Sequence, residues 1–173
     1  MRKFGILLIL GAVLAFIAFQ ARSGIFRRAN PGKPANKYVR EQQEAQELAP
    51  EDLAVIRQKY ADATVTPSGL RYLVRREGAG SPPSFGAEVV AHYRGTLIGG
   101  VKFDSSYERG EPFAFRVGTG AVIKGWDEAF AQMKKGEQRT LIVPWWLGYG
   151  VQGKGPIPPR ATLVFEVEVV DIR

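Results

Sequence analysis

The chain of 173 residues has no cysteine, a single histidine and a formal net charge of +7. Disulfides, thiol chemistry, thiolate zinc sites and a multi-histidine metal centre are therefore excluded, and a Ser-His-Asp triad would have to use His92. The length suits one domain with appendages, and the basic excess is mainly N-terminal: from Thr66 onward fourteen Lys and Arg stand against eleven Asp and Glu.

Met1-Arg2-Lys3 precedes an unbroken apolar run from Phe4 to Phe19. A cut after Ala21 would put Phe19 at −3, and a cut after Ala18 would put Phe16 there, where a signal peptidase wants a small residue. The sequence therefore predicts an uncleaved membrane anchor over residues 1–22, with a cleaved signal as the alternative. Arg22, Arg27, Arg28, Lys33, Lys37 and Arg40 follow it. Such a cluster points to an anionic lipid surface and not to nucleic acid, or else to a solvated linker without a partner. By the positive-inside rule these charges would keep the following domain cytoplasmic. The signal-like start argues for export, and the expected location is membrane-anchored with the domain on the exported, periplasmic side.

Residues 23–65 read as a linker and helical spacer. Gly24, Pro31, Gly32 and Pro34 mark the linker, and Pro50, Glu51 and Asp52 suit the first turn of a helix. Leu53, Ile56 and Tyr60 give that helix a narrow apolar stripe, so it is a spacer or a docking helix.

Thr66-Pro67-Ser68-Gly69 is turn material, and the folded domain is placed at residues 66–173. Leu70, Tyr72 and Val74 alternate with Arg71, Leu73 and Arg75 as in a strand. Val89, Ala91 and Tyr93 share one face of the next strand, with His92 on the other. A turn at Gly99-Gly100 precedes Lys102-Phe103, and Phe113, Phe115 and Val117 mark a further strand. Trp126, Phe130 and Met133 fall at i, i+4 and i+7, one face of a short helix that Gly125 lets turn in. Thr140 to Val143 is another strand, followed by a long loop rich in Gly and Pro. In the final strand Leu163, Phe165, Val167 and Val169 oppose Thr162, Glu166 and Glu168, which predicts one buried and one solvated face. The expected class is α+β: an antiparallel sheet of about five strands wrapped around one short helix, preceded by an N-terminal apolar helix and a helical spacer.

Four groups of residues carry a resemblance. They are Val90-Ala91-His92-Tyr93-Arg94-Gly95; Phe103-Asp104-Ser105-Ser106; Pro112-Phe113-Ala114-Phe115 with Val122-Ile123-Lys124-Gly125-Trp126; and Leu147-Gly148-Tyr149-Gly150 with Ile157-Pro158-Pro159 and Ala161-Thr162-Leu163-Val164-Phe165. In order and spacing they resemble the FKBP-type peptidyl-prolyl cis-trans isomerases. The resemblance covers about Thr66 to Arg173. It implies a strongly bent sheet with the helix in its concavity and a pocket between the two. Trp126 would be the pocket floor, with Tyr93, Phe103, Phe113, Val122, Ile123 and Phe165 as walls and Ile157 among the substrate-binding residues. Tyr149 would reach in from the long loop. Asp104 would be the family's buried acid, with Arg109 as its charged neighbour.

Trp126, Ile123, Tyr149 and Asp104 are the residues to which the resemblance assigns catalysis. The Tyr149 hydroxyl and the Ile123 N–H would catch the swinging carbonyl. Asp104 would act by orientation and electrostatics, or as a structural hydrogen-bonding partner of Tyr93 or Arg109. No cofactor or metal is implied. The implied partners are proline-containing polypeptide clients and FK506-like macrolides, bound by a monomer.

Two departures touch the pocket rim. Pro144-Trp145-Trp146 replaces the family's usual Pro-Pro or Pro-Glu, and the loop from Tyr149 to Ile157 is shorter by about a residue. Trp145 and Trp146 form either an exposed aromatic patch or packing for the loop. Two other functions compete with the enzyme: a client-binding chaperone module, and an inactive membrane-tethered scaffold. The second calls for damage at Trp126, Tyr149 or Asp104, and all three are present.

Overall fold

The computed structural model describes residues 46–173. The apolar run expected to anchor the chain, the basic cluster and the linker that follow it lie outside the described residues. Among the described residues no helix is long and apolar enough to cross a membrane.

In chain order the elements are α1 (Pro50–Lys59), β1 (Thr64–Val65), β2 (Arg71–Arg76), β3 (Glu88–Leu97), β4 (Lys102–Ser105), α2 (Ser106–Arg109), β5 (Phe113–Arg116), α3 (Lys124–Phe130), β6 (Gln138–Val143) and β7 (Leu163–Ile172), with a 3₁₀ turn at Trp145–Leu147. All the strands pair antiparallel in one open sheet, in the order β1-β2-β6-β7-β3-β4, with β5 also on β3. The sheet has seven strands where about five were expected. The difference is small in substance. β1 is two residues long, and β4 and β5 share one flank of β3: β4 pairs with Arg94–Thr96 and β5 with Glu88–Ala91. The short helix α2 divides what would otherwise be one strand.

Register shifts interrupt β2 between Val74 and Arg76 and β3 at Val90/Ala91 and Gly95/Thr96. Such irregularities bend and twist a sheet. The burial expected of one face of β2 fades along the strand: Leu70 is buried and Tyr72 packs on the core, but Val74 is 41% exposed.

The strand period of two separates the apolar residues onto two faces. Leu141, Val143, Leu163, Phe165, Val167 and Val169 join Trp126, Ala129, Phe130 and Met133 in the main core, under α3. The helix ends at Phe130, yet Met133 beyond it is fully buried. Gly125 is not needed for a turn, because its φ is not positive. It is needed for contact: a Cβ there would lie 2.7 Å from Val143 Cγ1, so α3 rests directly on β6. Asp127 and Glu128 tie α3 to the neighbouring turns. Asp127 accepts the Gly118 and Gly120 N–H groups at 2.9 and 2.8 Å, and Glu128 accepts the Ser68 hydroxyl at 2.6 Å.

The opposite face is not simply solvated. Ile142 and Val164 lie there under Leu48 and Ile56, with Leu53, Tyr60, Ala63, Ile98 and Trp146 packed around them. The stripe read from the sequence as spacer or docking helix is thus a docking helix, and the compact unit begins at Leu48 and not near Thr66. Thr162, expected on the solvated side of β7, is 1% exposed.

Two further features anchor the frame. Glu137 is 2% exposed and accepts from Arg139 Nε at 2.5 Å and from the Lys134 N–H at 2.8 Å, closing the turn after Met133. A buried pair of this kind is costly to break from one side. Trp145 and Trp146 pack against the fold and form no exposed patch. Trp145 is 9% exposed, with the Arg160 guanidinium 5.4 Å from its ring. Trp146 donates its indole N–H to the Ser68 carbonyl at 2.9 Å.

Docking of α1 has a measurable consequence. Ile56 is 6% exposed, and α1 buries no other residue below that level. Ile56→Ala is expected to destabilise the protein by about 2–3 kcal/mol, the lower part of the range for such truncations. The check is the urea midpoint at unchanged m. A midpoint equal to that of the parent would show that the helix does not hold this position in solution.

Candidate active site

A cavity of about 780 Å³ opens between α3 and the sheet. Its floor is the Trp126 indole, 4% exposed and set at the start of α3. Five rings surround that indole, with centroid distances of 5.0 Å to Tyr93, 5.1 Å to Phe130, 5.3 Å to Phe165, 5.6 Å to Phe115 and 6.2 Å to Phe113. Aromatic pairs at such separations, mostly edge to face, are attractive beyond their area burial. The indole Nε1 is buried without a hydrogen-bond partner among the described residues.

The walls come from distant parts of the chain. β3 supplies Tyr93, β4 Phe103 and Asp104, β5 Phe113, and β7 Phe165. Gly95 is what lets the Phe103 ring approach β3 closely, because a Cβ there would meet that ring at 2.7 Å. Val122, Ile123 and Lys124 enter with the start of α3, and Tyr149 with Trp146, Gly148 and Gly150 from the segment after β6. The N–H of Ile123 donates to no group among the described residues, while its carbonyl accepts from Trp126 and Asp127.

Nine of the ten site residues expected from the sequence line this cavity: Asp104, Tyr149, Trp126, Ile123, Tyr93, Phe103, Phe113, Val122 and Phe165. Ile157 does not. It is 7% exposed within the main core, where it holds the loop that carries Lys154. Lys124, Asp127, Trp146 and Lys154 line the cavity without having been singled out as site residues. For Lys124 the signal was its place inside the Val122 to Trp126 motif. For Lys154 there was none, since a lysine in a Gly- and Pro-rich loop reads as solvated.

Asp104 is not the buried acid that the resemblance suggested. Its side chain is 40% exposed at the cavity mouth. It accepts hydrogen bonds from the Tyr93 hydroxyl, the Arg109 guanidinium and, at 2.8 Å, the Ser105 N–H. Arg109 also donates to the Tyr93 oxygen at 2.9 Å. Partial burial works to raise the Asp104 pKa, but the Tyr93, Arg109 and Ser105 bonds outweigh it and hold the carboxyl below its ordinary value. Burial pushes the Tyr93 phenol up, reinforced by Asp104. Burial and the Asp104 charge do the same to Tyr149.

The neighbouring Ser106 explains the rest of that motif. It is fully buried, accepts from the Tyr93 N–H at 2.7 Å and donates to the Tyr93 carbonyl at 3.2 Å. Tyr93 is therefore fixed at both its backbone and its hydroxyl. His92 points to the other face, where it stacks on Tyr107 at 4.6 Å and contacts the Ser106 hydroxyl at 3.0 Å. A second depression of about 590 Å³ lies on that face, lined by alternating charges such as Arg75, Arg94, Glu166 and Glu168.

Comparison with known proteins agrees with this geometry. The sequence matches the family described as FKBP-type peptidyl-prolyl cis-trans isomerase over residues 80–170. Relatives include FK506-binding protein 1 of Dictyostelium discoideum, 49% identical over 106 residues, which are 61% of this chain and 99% of the relative. FK506-binding protein of Neisseria meningitidis serogroup A is 49% identical over 98 residues, 56% of this chain and 90% of that protein. Among solved structures, AtFKBP13 superposes with a TM-score of 0.62 at 40% identity, covering 64% of this chain and 98% of its own. FkpA from Escherichia coli gives 0.63 at 34% identity, covering 100% of this chain and 74% of its own. The family match spans every residue that lines the aromatic cavity, and on it the chain belongs to the FKBP-type peptidyl-prolyl cis-trans isomerases.

Proposed function

We propose that this isomerase turns Xaa-Pro bonds in the cavity floored by Trp126. The observation that carries this is a deep apolar floor and wall set beside a backbone N–H, that of Ile123, left without a partner among the described residues. Rotation about the peptide bond faces a barrier of about 18–20 kcal/mol, because resonance holds the amide planar. Twisting removes that resonance and makes the amide less polar. An apolar site therefore disfavours the planar ground states more than the twisted state, which is differential binding.

In this reading the pyrrolidine ring rests on Trp126 between Tyr93, Phe113 and Phe165. Val122 and Phe103 complete the apolar enclosure. The preceding carbonyl swings toward the Ile123 N–H and the Tyr149 hydroxyl. Asp104 is bound to Tyr93 and Arg109, so it sets the field and the position of the Tyr93 ring and transfers no proton. The partners are proline-containing polypeptides, and the FK506-binding relatives support macrolide binding at the same floor. We further assign the apolar run from Phe4 to Phe19 to membrane attachment, with the isomerase domain on the exported side, from its length and its unsuited cleavage sites.

Trp126→Leu keeps most of the apolar volume but loses the flat floor. It is expected to lower kcat/KM toward a Leu-Pro peptide at least about tenfold, about 1.4 kcal/mol of transition-state stabilisation, at matched folded fraction. Wild-type rates in that variant would refute the assignment of the floor.

The pKa directions give a pH profile. Tyr93 and Tyr149 are raised and Asp104 is lowered, so all three keep one protonation state between about pH 5 and about pH 8, where kcat/KM is expected to be flat. Stability behaves differently at the acid end. The Asp104 pKa is lower folded than unfolded, so its contribution is complete above the unfolded carboxyl value and is lost as pH falls through the folded one. Asp104→Asn is expected to lose less stability than the parent between about pH 5 and about pH 2, read from denaturant midpoints.

For the membrane assignment, full-length protein is expected to stay with the pellet after carbonate extraction. A mature N-terminus beyond Ala18 would show a cleaved signal instead.

A further inference from the structure

The charged lining of the cavity is not balanced. Asp104, Asp127, Lys124 and Lys154 all contribute to it. Asp104 is ion-paired with Arg109 and also accepts from Tyr93 and the Ser105 N–H, whereas Asp127 accepts only the neutral N–H groups of Gly118 and Gly120 and keeps its charge, so two ammonium groups stand against one unneutralised carboxylate. Neither lysine pairs with a carboxylate among the described residues, whose ion pairs are made by other cations.

Lys154 is nevertheless held in place. Its N–H donates to the Ile157 carbonyl at 2.9 Å and its carbonyl accepts the Ile157 N–H at 3.0 Å, across a tight turn at Gly155-Pro156. Gly155 adopts φ +54°, as such a turn requires. Ile157 is buried in the core, so the turn is anchored from below. The Lys154 ammonium then lies 5.8 Å from the centroid of the Tyr149 ring, the wall assigned to the swinging carbonyl. Lys124 is fixed as the first residue of α3, next to Ile123.

We propose that Lys124 and Lys154 select proline segments that carry a carboxylate, an Asp or Glu side chain within two positions of the proline. This rests on the assignment of the cavity as the isomerase site. The apolar walls hold the proline ring and say nothing about its neighbours. The two unpaired ammonium groups at the rim attract an acid beside it and repel a base. A side chain that follows the proline stays with the held ring while the preceding segment swings, so its pairing is the same in ground and twisted states, and its preference appears in KM and leaves kcat unchanged. Being exposed, it weakens with salt.

The test uses the full chain in mild detergent with peptides that differ only in Glu, Gln or Lys at each position flanking one proline. At low salt kcat/KM is expected to be about fivefold higher for Glu than for Gln at the favoured position, and lower again for Lys, with the difference in KM where that position follows the proline. The ratio is expected to approach one at about 0.5 M salt. Lys154→Gln and Lys124→Gln each reduce the Glu-to-Gln ratio. Lys59→Gln, which removes the same charge from α1, leaves the ratio intact. Equal rates for Glu and Gln at every position, or a ratio that neither lysine variant changes, would overturn the proposal. Failure to isomerise even the Gln peptides would overturn the assignment of the cavity, and this preference with it.

Discussion

Everything in the domain is arranged to keep one large indole dry while leaving one of its sides open. Trp126 touches rings from β3, β5, β7 and its own helix, so four elements converge on it. Burying an aromatic side chain removes about 150–250 Å² from water, worth about 4–6 kcal/mol at 25 cal/mol per Å². That is a large share of the stability of a small domain. The same packing prevents the open side from collapsing, because the rings that would have to move are held by the sheet. A site of this kind needs no reactive group. It needs a hollow that stays hollow, and close packing on three sides supplies one.

The polar groups are positioned to serve that hollow. Tyr93 has an apolar ring against Trp126 and a hydroxyl that must be satisfied at the cavity edge. Asp104 and Arg109 take the hydroxyl, and Ser106 takes the backbone of the same residue. The Asp104–Arg109 pair is itself about two-fifths exposed on each side, so it contributes little as an ion pair in water. Its effect is orientational: it keeps a ring in one place where a free tyrosine could turn.

Much of this was legible in the sequence, for identifiable reasons. The strict alternation of Leu163, Phe165, Val167 and Val169 reflects a sheet face against a core, and the interval from Trp126 to Phe130 reflects one face of a helix. Motif order led to nine of the ten expected site residues at the cavity. Ile157 failed because its apolar character fits a core as well as a wall, and spacing cannot separate the two. The pair Ile142 and Val164 was hidden by the second packed face: α1 covers them, and nothing within β6 or β7 announces a helix from far upstream. Gly125 was read as a turn residue when its role is close approach, a distinction that depends on Val143 across the interface. Lys154 was invisible because its loop is ordered by a buried isoleucine three residues away.

The position of β7 carries a consequence for synthesis. It is the last strand in chain order, yet it lies between β6 and β3 in the sheet. A growing chain that stops before Leu163 holds two half-sheets with no strand to join them, and Trp126 lacks Phe165 beside it. Pairing across such separations must await loop closure, which slows folding relative to local structure. A nascent chain therefore carries β3 without its β7 partner while β4 to β6 are made, and β6 without it until β7 follows. Until β7 arrives, this catalyst of folding itself presents the unpaired edges of β3 and β6.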